Sequence, residues 1–301
     1  MRLPVTVRDD DIRVGPRFAV AFQRTLRIPD DDRDYPLPPG LGRLPVVEVD
    51  GHAVIPLRQG EAVWLAFDGE DWHPNAVQVA VGGVNVLSGD DISVGLRDDP
   101  QNYLVTPHQP WLDGIKTGDG VVRQFVAAPL GGGVTVEGQV TGREERGGIQ
   151  LRVLEAKQGR FPDEPPEPEP FDLMLPMSAP RGMGVAAGGK MRQRIYPDPH
   201  GLDSWDAAAP GEVDVRIVNS EEFRALTGRE PPPSPVTARL YTEYGLPWFE
   251  LYDEAAGDVA ASETLGGVKS VGELTGARPE ATEVDPGQVR RLPPDRGRRR
   301  R

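Results

Sequence analysis

Short runs of alternating side chains, cut repeatedly by glycine and proline, constrain this fold more than any other feature. Phe18, Val20, Phe22, Leu26 and Ile28 occupy even positions, with Ala19, Ala21, Gln23, Thr25 and Arg27 between them. A period of two places the large side chains on one face of a pleated strand or hairpin. Val77, Val79 and Val81 repeat the pattern. Gly82-Gly83 then intervenes before Val84 and Val86. Two glycines supply the positive φ angles of a two-residue hairpin turn, so a hairpin is expected there. Val121 to Ala127 reads as a further strand, and Trp64 as a core residue within another. Val134, Val136 and Val140 are expected to pair with Ile149, Leu151 and Val153 across Gly142–Gly148. β-Branching argues against helix in these segments. With 36 glycines and 32 prolines in 301 residues, turns are frequent and long helices are not expected. The fold class that follows is mainly β, with a β-sandwich or partly closed barrel in the N-terminal half.

The alternation stops at Gly159–Pro170, an acidic, proline-rich stretch expected to run extended as a linker or long surface loop. It divides the expected organisation. Residues 1–158 form the β-sandwich or barrel-like domain, and 159–170 the linker or loop. Residues 171–277 form a smaller α+β part, separate from the first or continuous with it. Residues 278–301 form a disordered basic tail. Within the α+β part, Val213, Val215 and Ile217 read as a strand. A short helix begins with Ser220 as its cap and is stopped by Gly228. Thr237–Tyr244 reads as a second short helix, Trp248–Tyr252 as a strand, and Ala255–Leu265 as weakly helical.

Composition excludes several chemistries. There is no cysteine, which removes disulfides, thiolate nucleophiles, Fe–S clusters and Cys-based zinc sites. A net charge of -13 disfavours general binding to nucleic acid or anionic membranes. No apolar run approaches the ~20 residues needed to span a bilayer. Met1-Arg2-Leu3-Pro4-Val5 lacks the apolar core of a secretory leader, so a soluble cytoplasmic protein is expected. Only Lys116, Lys157, Lys190 and Lys269 are lysines; the preference for arginine reads as GC-rich, bacterial coding. The basic end, Arg290–Arg301, would contact nucleic acid or an acidic partner, associate with the chain's own acidic body, or stay solvated, the last two readings being favoured.

Chemistry-bearing side chains are densest in residues 188–206. Asp198, His200, Asp203 and Asp206 form a candidate divalent-cation site, since carboxylates suit calcium or magnesium and the imidazole admits manganese or zinc. The competing reading is a proline-stiffened turn whose aspartates cap backbone donors. Gly184–Lys190 has the spacing of a phosphate loop, but Met191 stands where a hydroxyl should hold magnesium, and Pro197 and Pro199 forbid the required helix. Glu155-Ala156-Lys157 at a strand end lacks an identifiable partner aspartate for a metal nuclease. His52, His73, His108 and His200 show no metal-ligand spacing, and no Ser lies in G-x-S-x-G.

Aromatics in loops offer the other site. Trp72, His73, Trp111, Tyr196, His200 and Trp205 are the candidate ligand contacts. Aromatics on loops of a β scaffold stack on apolar ligand faces, while neighbouring polar groups orient the ligand. The expected function is therefore a non-enzymatic binding or assembly protein, taking a small-molecule or carbohydrate-type ligand or a protein partner. The alternative is a metal-dependent enzyme, a hydrolase, that uses Asp198, His200, Asp203 and Asp206 with a divalent cation.

Overall fold

The computed structural model describes residues 2–31, 33–164, 182–233, 236–251, 257–277 and 279–292. The protein is mainly β, with 40% strand and 13% helix. Among the described residues, seventeen strands hydrogen-bond into one large sheet, and Trp248–Leu251 and Val289–Leu292 form a separate parallel pair. Nearly all pairings in the large sheet are antiparallel. The parallel joins are Lys190↔Asp34 and Val215↔Ala53 with their neighbours. No helix among the described residues is long and apolar enough to cross a membrane.

Alternation decides which face is buried. Phe18–Thr25 pairs with Ala62–Asp68 so that Val20 meets Phe67 and Phe22 meets Leu65. Phe18, Val20, Phe22, Leu26, Ile28, Val63, Leu65 and Phe67 all enter one core with Val77, Val79, Val81, Ile149, Leu151 and Val153. The same register turns Trp64 to the opposite face, where it is half-buried instead of in the core. A one-residue offset in a period of two is enough for that difference. The glycine hairpin forms as expected, with Val81 opposite Val84 and Gly82 and Gly83 at φ 56° and 84°.

Val134, Val136 and Val140 do not pair with Ile149–Leu154. Val136–Thr141 is a helix, capped by the Thr135 side chain and closed by left-handed Gly142. The Glu137 carboxylate then accepts from the backbone N–H groups of Glu145, Arg146 and Gly147. These local bonds outweigh the β preference of three valines. Ile149–Leu154 pairs instead with Asn75–Val81 on one side and Gly211–Val218 on the other.

The second half of the chain shares this sheet. Gly182–Arg192 pairs along Val121–Pro129, and Gly211–Val218 lies beside Ile149–Leu154. The first α+β helix is Ser220–Thr227, with Asn219 rather than Ser220 as its cap. Ala238–Glu243 and Trp248–Leu251 form as expected; of the described residues 257–265 only the end, from Glu263, is helical. Within the stretch read as tail, Pro286–Gln288 is a 3₁₀ turn and Val289–Leu292 a strand. Residues 165–170 of the proline-rich stretch and 293–301 of the basic end lie outside the described residues.

Candidate functional site

Residues 193–206 contain a single 3₁₀ turn, Leu202–Ser204, yet side chains from neighbouring loops and from the segment itself fix their backbone. Gln193 exchanges bonds with Asp113. Asp258 accepts from the Ile195 N–H at 2.8 Å, and the Val259 N–H donates to the Ile195 carbonyl. The Tyr196 N–H donates to Gln109, and the Asp198 N–H to Gln101. Arg160 and Ser204 both donate to the His200 carbonyl. At the far end the Asp206 N–H donates to the Glu155 carbonyl, and the Lys157 N–H to that of Ser204. A segment with almost no secondary structure is thus held rigid, because each of these backbone polar groups has a partner.

Asp198 is the internal hub. Its Oδ2 accepts from the Tyr103 hydroxyl at 2.6 Å and from Trp205 Nε1 at 2.9 Å, and Oδ1 accepts from the His200 N–H at 2.7 Å. Tyr103 is fully buried. Desolvation first, then the bond to Asp198, pushes its phenol above its ordinary value of 10. Asp203 is fully exposed, with Lys157 Nζ 3.8 Å away. Asp206 caps the Ala208 N–H. The four residues of the candidate cation site are therefore spread around the turn, and three of them are engaged in it. Among the described residues, no group of three or more His, Asp or Glu side chains is placed to hold a metal ion.

The aromatic candidates fare differently. Trp72 and His73 lie with ring centres 5.7 Å apart, and His73 lies 6.0 Å from Phe161. Phe161 meets His200 edge-on at 4.9 Å and stacks on Trp205 at 6.3 Å; His200 and Trp205 close the group at 5.9 Å. Three stretches distant in sequence thereby supply one continuous set of rings. Trp205 (2% exposed) and His73 (4%) form its base, while Trp72, Phe161 and His200 are half-buried above. Such contacts add about 0.5–1.5 kcal/mol per pair beyond area burial. Arg17 lies over the Trp72 ring at 5.4 Å and donates to the Asp163 carbonyl. Glu70 accepts from Trp72 Nε1 at 3.0 Å. The Pro162 carbonyl lies 2.7 Å from His73 Nδ1, which requires the proton on that nitrogen.

Burial lowers the pKa of His200 against the opposing pull of Asp198; His108 and Arg160 lower it further. The imidazole consequently stays neutral further into the acid range. Tyr196, also buried, faces exposed His108 at 5.2 Å instead of joining the main group. The Trp111 ring packs against Trp64 at 6.4 Å, so the structure pairs it with the outward side of the sheet.

Sequence reasoning missed Phe161 and the pairing of His108 with Tyr196; Tyr103 reads from the sequence as a loop aromatic, and the structure buries it against Asp198. Phe161 was legible as the lone aromatic in an acidic, proline-rich run, where a large apolar side chain has no reason to stand unless something covers it. Two further groups lie at this end of the sheet. Asn75 begins one strand and Glu155 follows the end of its neighbour; the buried Asn75 Oδ1 has no hydrogen-bond partner, while Glu155 Oε1 lies 3.6 Å from Arg17 Nη1. Comparison with protein-family models, with curated proteins and with solved structures gave no match.

Proposed function

We propose that this chain is a non-enzymatic binding protein whose ligand rests on the Trp72–Phe161–His200 surface. The observation that carries this reading is the convergence of three separate loops on one half-exposed set of rings, with a buried layer of His73 and Trp205 beneath. A surface preorganised in this way loses little entropy on binding. Flat ring faces beside hydrogen-bonding groups suit a carbohydrate-type ligand: the sugar's C–H face stacks, and its hydroxyls meet an acceptor such as the exposed Glu70. The metal-dependent alternative has less support, because Asp198 already serves three donors and Asp203 points to solvent.

A glycan array probed with the intact protein tests the reading. The expected result is selective binding that Trp72→Ala weakens by about tenfold, the equivalent of about 1.4 kcal/mol. Absence of glycan binding, or binding that Trp72→Ala and His200→Ala both leave unchanged, would overturn it.

A further inference from the structure

Four consecutive residues, Arg160–Asp163, are gripped by three separate stretches of the chain. The Phe161 ring lies against His73, His200 and Trp205, with centres 6.0, 4.9 and 6.3 Å away. It packs on the apolar cluster of Ala76, Tyr103, Val105, Leu154, Ala156 and Trp205. Ahead of the ring, Arg160 donates through Nε to the Ser204 hydroxyl at 3.0 Å and through Nη2 to the His200 carbonyl at 3.2 Å. After the ring, His73 Nδ1 donates to the Pro162 carbonyl at 2.7 Å and Arg17 Nη2 to the Asp163 carbonyl at 3.2 Å.

The contacts divide as they do where a protein recognises a peptide. One aromatic side chain enters a seat and sets selectivity, while bonds to main-chain carbonyls hold the residues that follow. Proline after the ring fixes one backbone angle in advance and so lowers the entropy lost on docking. The donors are themselves held in place. Arg17 lies over the Trp72 ring at 5.4 Å with Glu155 at 3.6 Å, and Ser204 donates to the His200 carbonyl. The segment follows strand Ile149–Leu154 after one turn, in which the Arg160 N–H donates to the Lys157 carbonyl and Gly159 takes φ 76°. A tether this short presents its own segment to the seat at an effective concentration in the millimolar range.

We propose that this seat is a peptide-recognition site filled in cis by residues 160–163, and that it takes from a partner protein a segment of the same chemistry, arginine, an aromatic residue and proline in succession. The cis segment is a stand-in that such a partner displaces. The peptide occupies the buried floor of His73 and Trp205. The glycan reading concerns the outer face of the ring group, and neither reading rests on the other.

Calorimetric titration of the full chain with the peptide Gly-Arg-Phe-Pro-Asp-Glu, the sequence of residues 159–164, tests this. Phe161→Ala empties the seat and should bind the peptide saturably. The wild type should bind it at least tenfold more weakly, because its own segment competes. The same peptide with alanine in place of phenylalanine should not bind Phe161→Ala, and adding Arg17→Ala to that variant should weaken binding severalfold. Arg160→Ala loosens the cis segment and leaves Phe161 in the chain; it should bind the peptide more tightly than the wild type does, and it decides the matter if Phe161→Ala does not fold. The proposal fails if the peptide does not bind Phe161→Ala at millimolar concentration, if the alanine peptide binds as well, if Arg17→Ala changes nothing, or if Arg160→Ala binds no better than the wild type. It also fails if light scattering shows a wild-type dimer that Phe161→Ala dissolves, since the partner would then be a second copy of this chain.

Discussion

Asp113 gives the sharpest physical test of the interior. It is 3% exposed, and its carboxylate accepts from Gln193 Nε2 at 2.8 Å. Burial is the dominant influence and pushes its pKa up to about 7 from the ordinary 3.8, although bonds from Trp111 and Gln193 pull the other way. The folded protein therefore holds this proton more tightly than the unfolded chain does. The resulting stabilisation is fully present below pH 4 and is lost as pH rises toward 7. One proton is worth about 1.4 kcal/mol per pH unit over that window, so the full loss is on the order of 4 kcal/mol. Asp113→Asn cannot titrate. Urea unfolding of both proteins between pH 3.5 and 8 should show the wild type losing stability relative to the variant across pH 4–7, with parallel curves outside that range. A constant fixed offset imposed by the amide does not matter; the slope does. A difference that stays flat, or in which the wild type gains with rising pH, would refute burial as the force controlling this carboxyl.

Other outcomes follow from the same contacts. Asp198→Ala strands the Tyr103 hydroxyl and Trp205 Nε1, at a cost of about 2–5 kcal/mol in thermal or urea unfolding, and Asp198→Asn should recover much of it. Gly114→Ala drives a methyl into the Arg123 carbonyl on the paired strand, so it should cost about 3 kcal/mol or more, or prevent folding, as read by soluble yield and circular dichroism. Titration with calcium, magnesium, manganese or zinc should produce neither heat nor a thermal shift, because Asp198, Asp203 and Asp206 do not converge; a saturable response lost in Asp198→Asn would restore the metal reading.

Wherever alternation was strong, the sheet could be read from the sequence. Phe18–Phe22 and Val77–Val81 face the core because a period of two leaves no other placement for their large side chains. The reading failed where a few polar residues overruled that pattern. Thr135, Glu137 and Gly142 impose a helix on valines that alone favour a strand. Tertiary register, which local pattern does not encode, turned Trp64 outward. Trp72, His73, His200 and Trp205 were identifiable individually, as aromatics beside turn residues. Their assembly was not, because it depends on Phe161, on Asp198 as a shared acceptor, and on Gln101 and Gln109 holding a segment that has almost no regular structure of its own.

Everything proposed for the loops requires that these rings form one unit. The direct measurement is the set of five tryptophan indole N–H signals in ¹H–¹⁵N spectra of wild type and Phe161→Ala. Trp205 and Trp72 should shift, the first through direct stacking and the second through His73, while Trp64, Trp111 and Trp248 stay in place. Unmoved Trp205 and Trp72 signals would contradict the account.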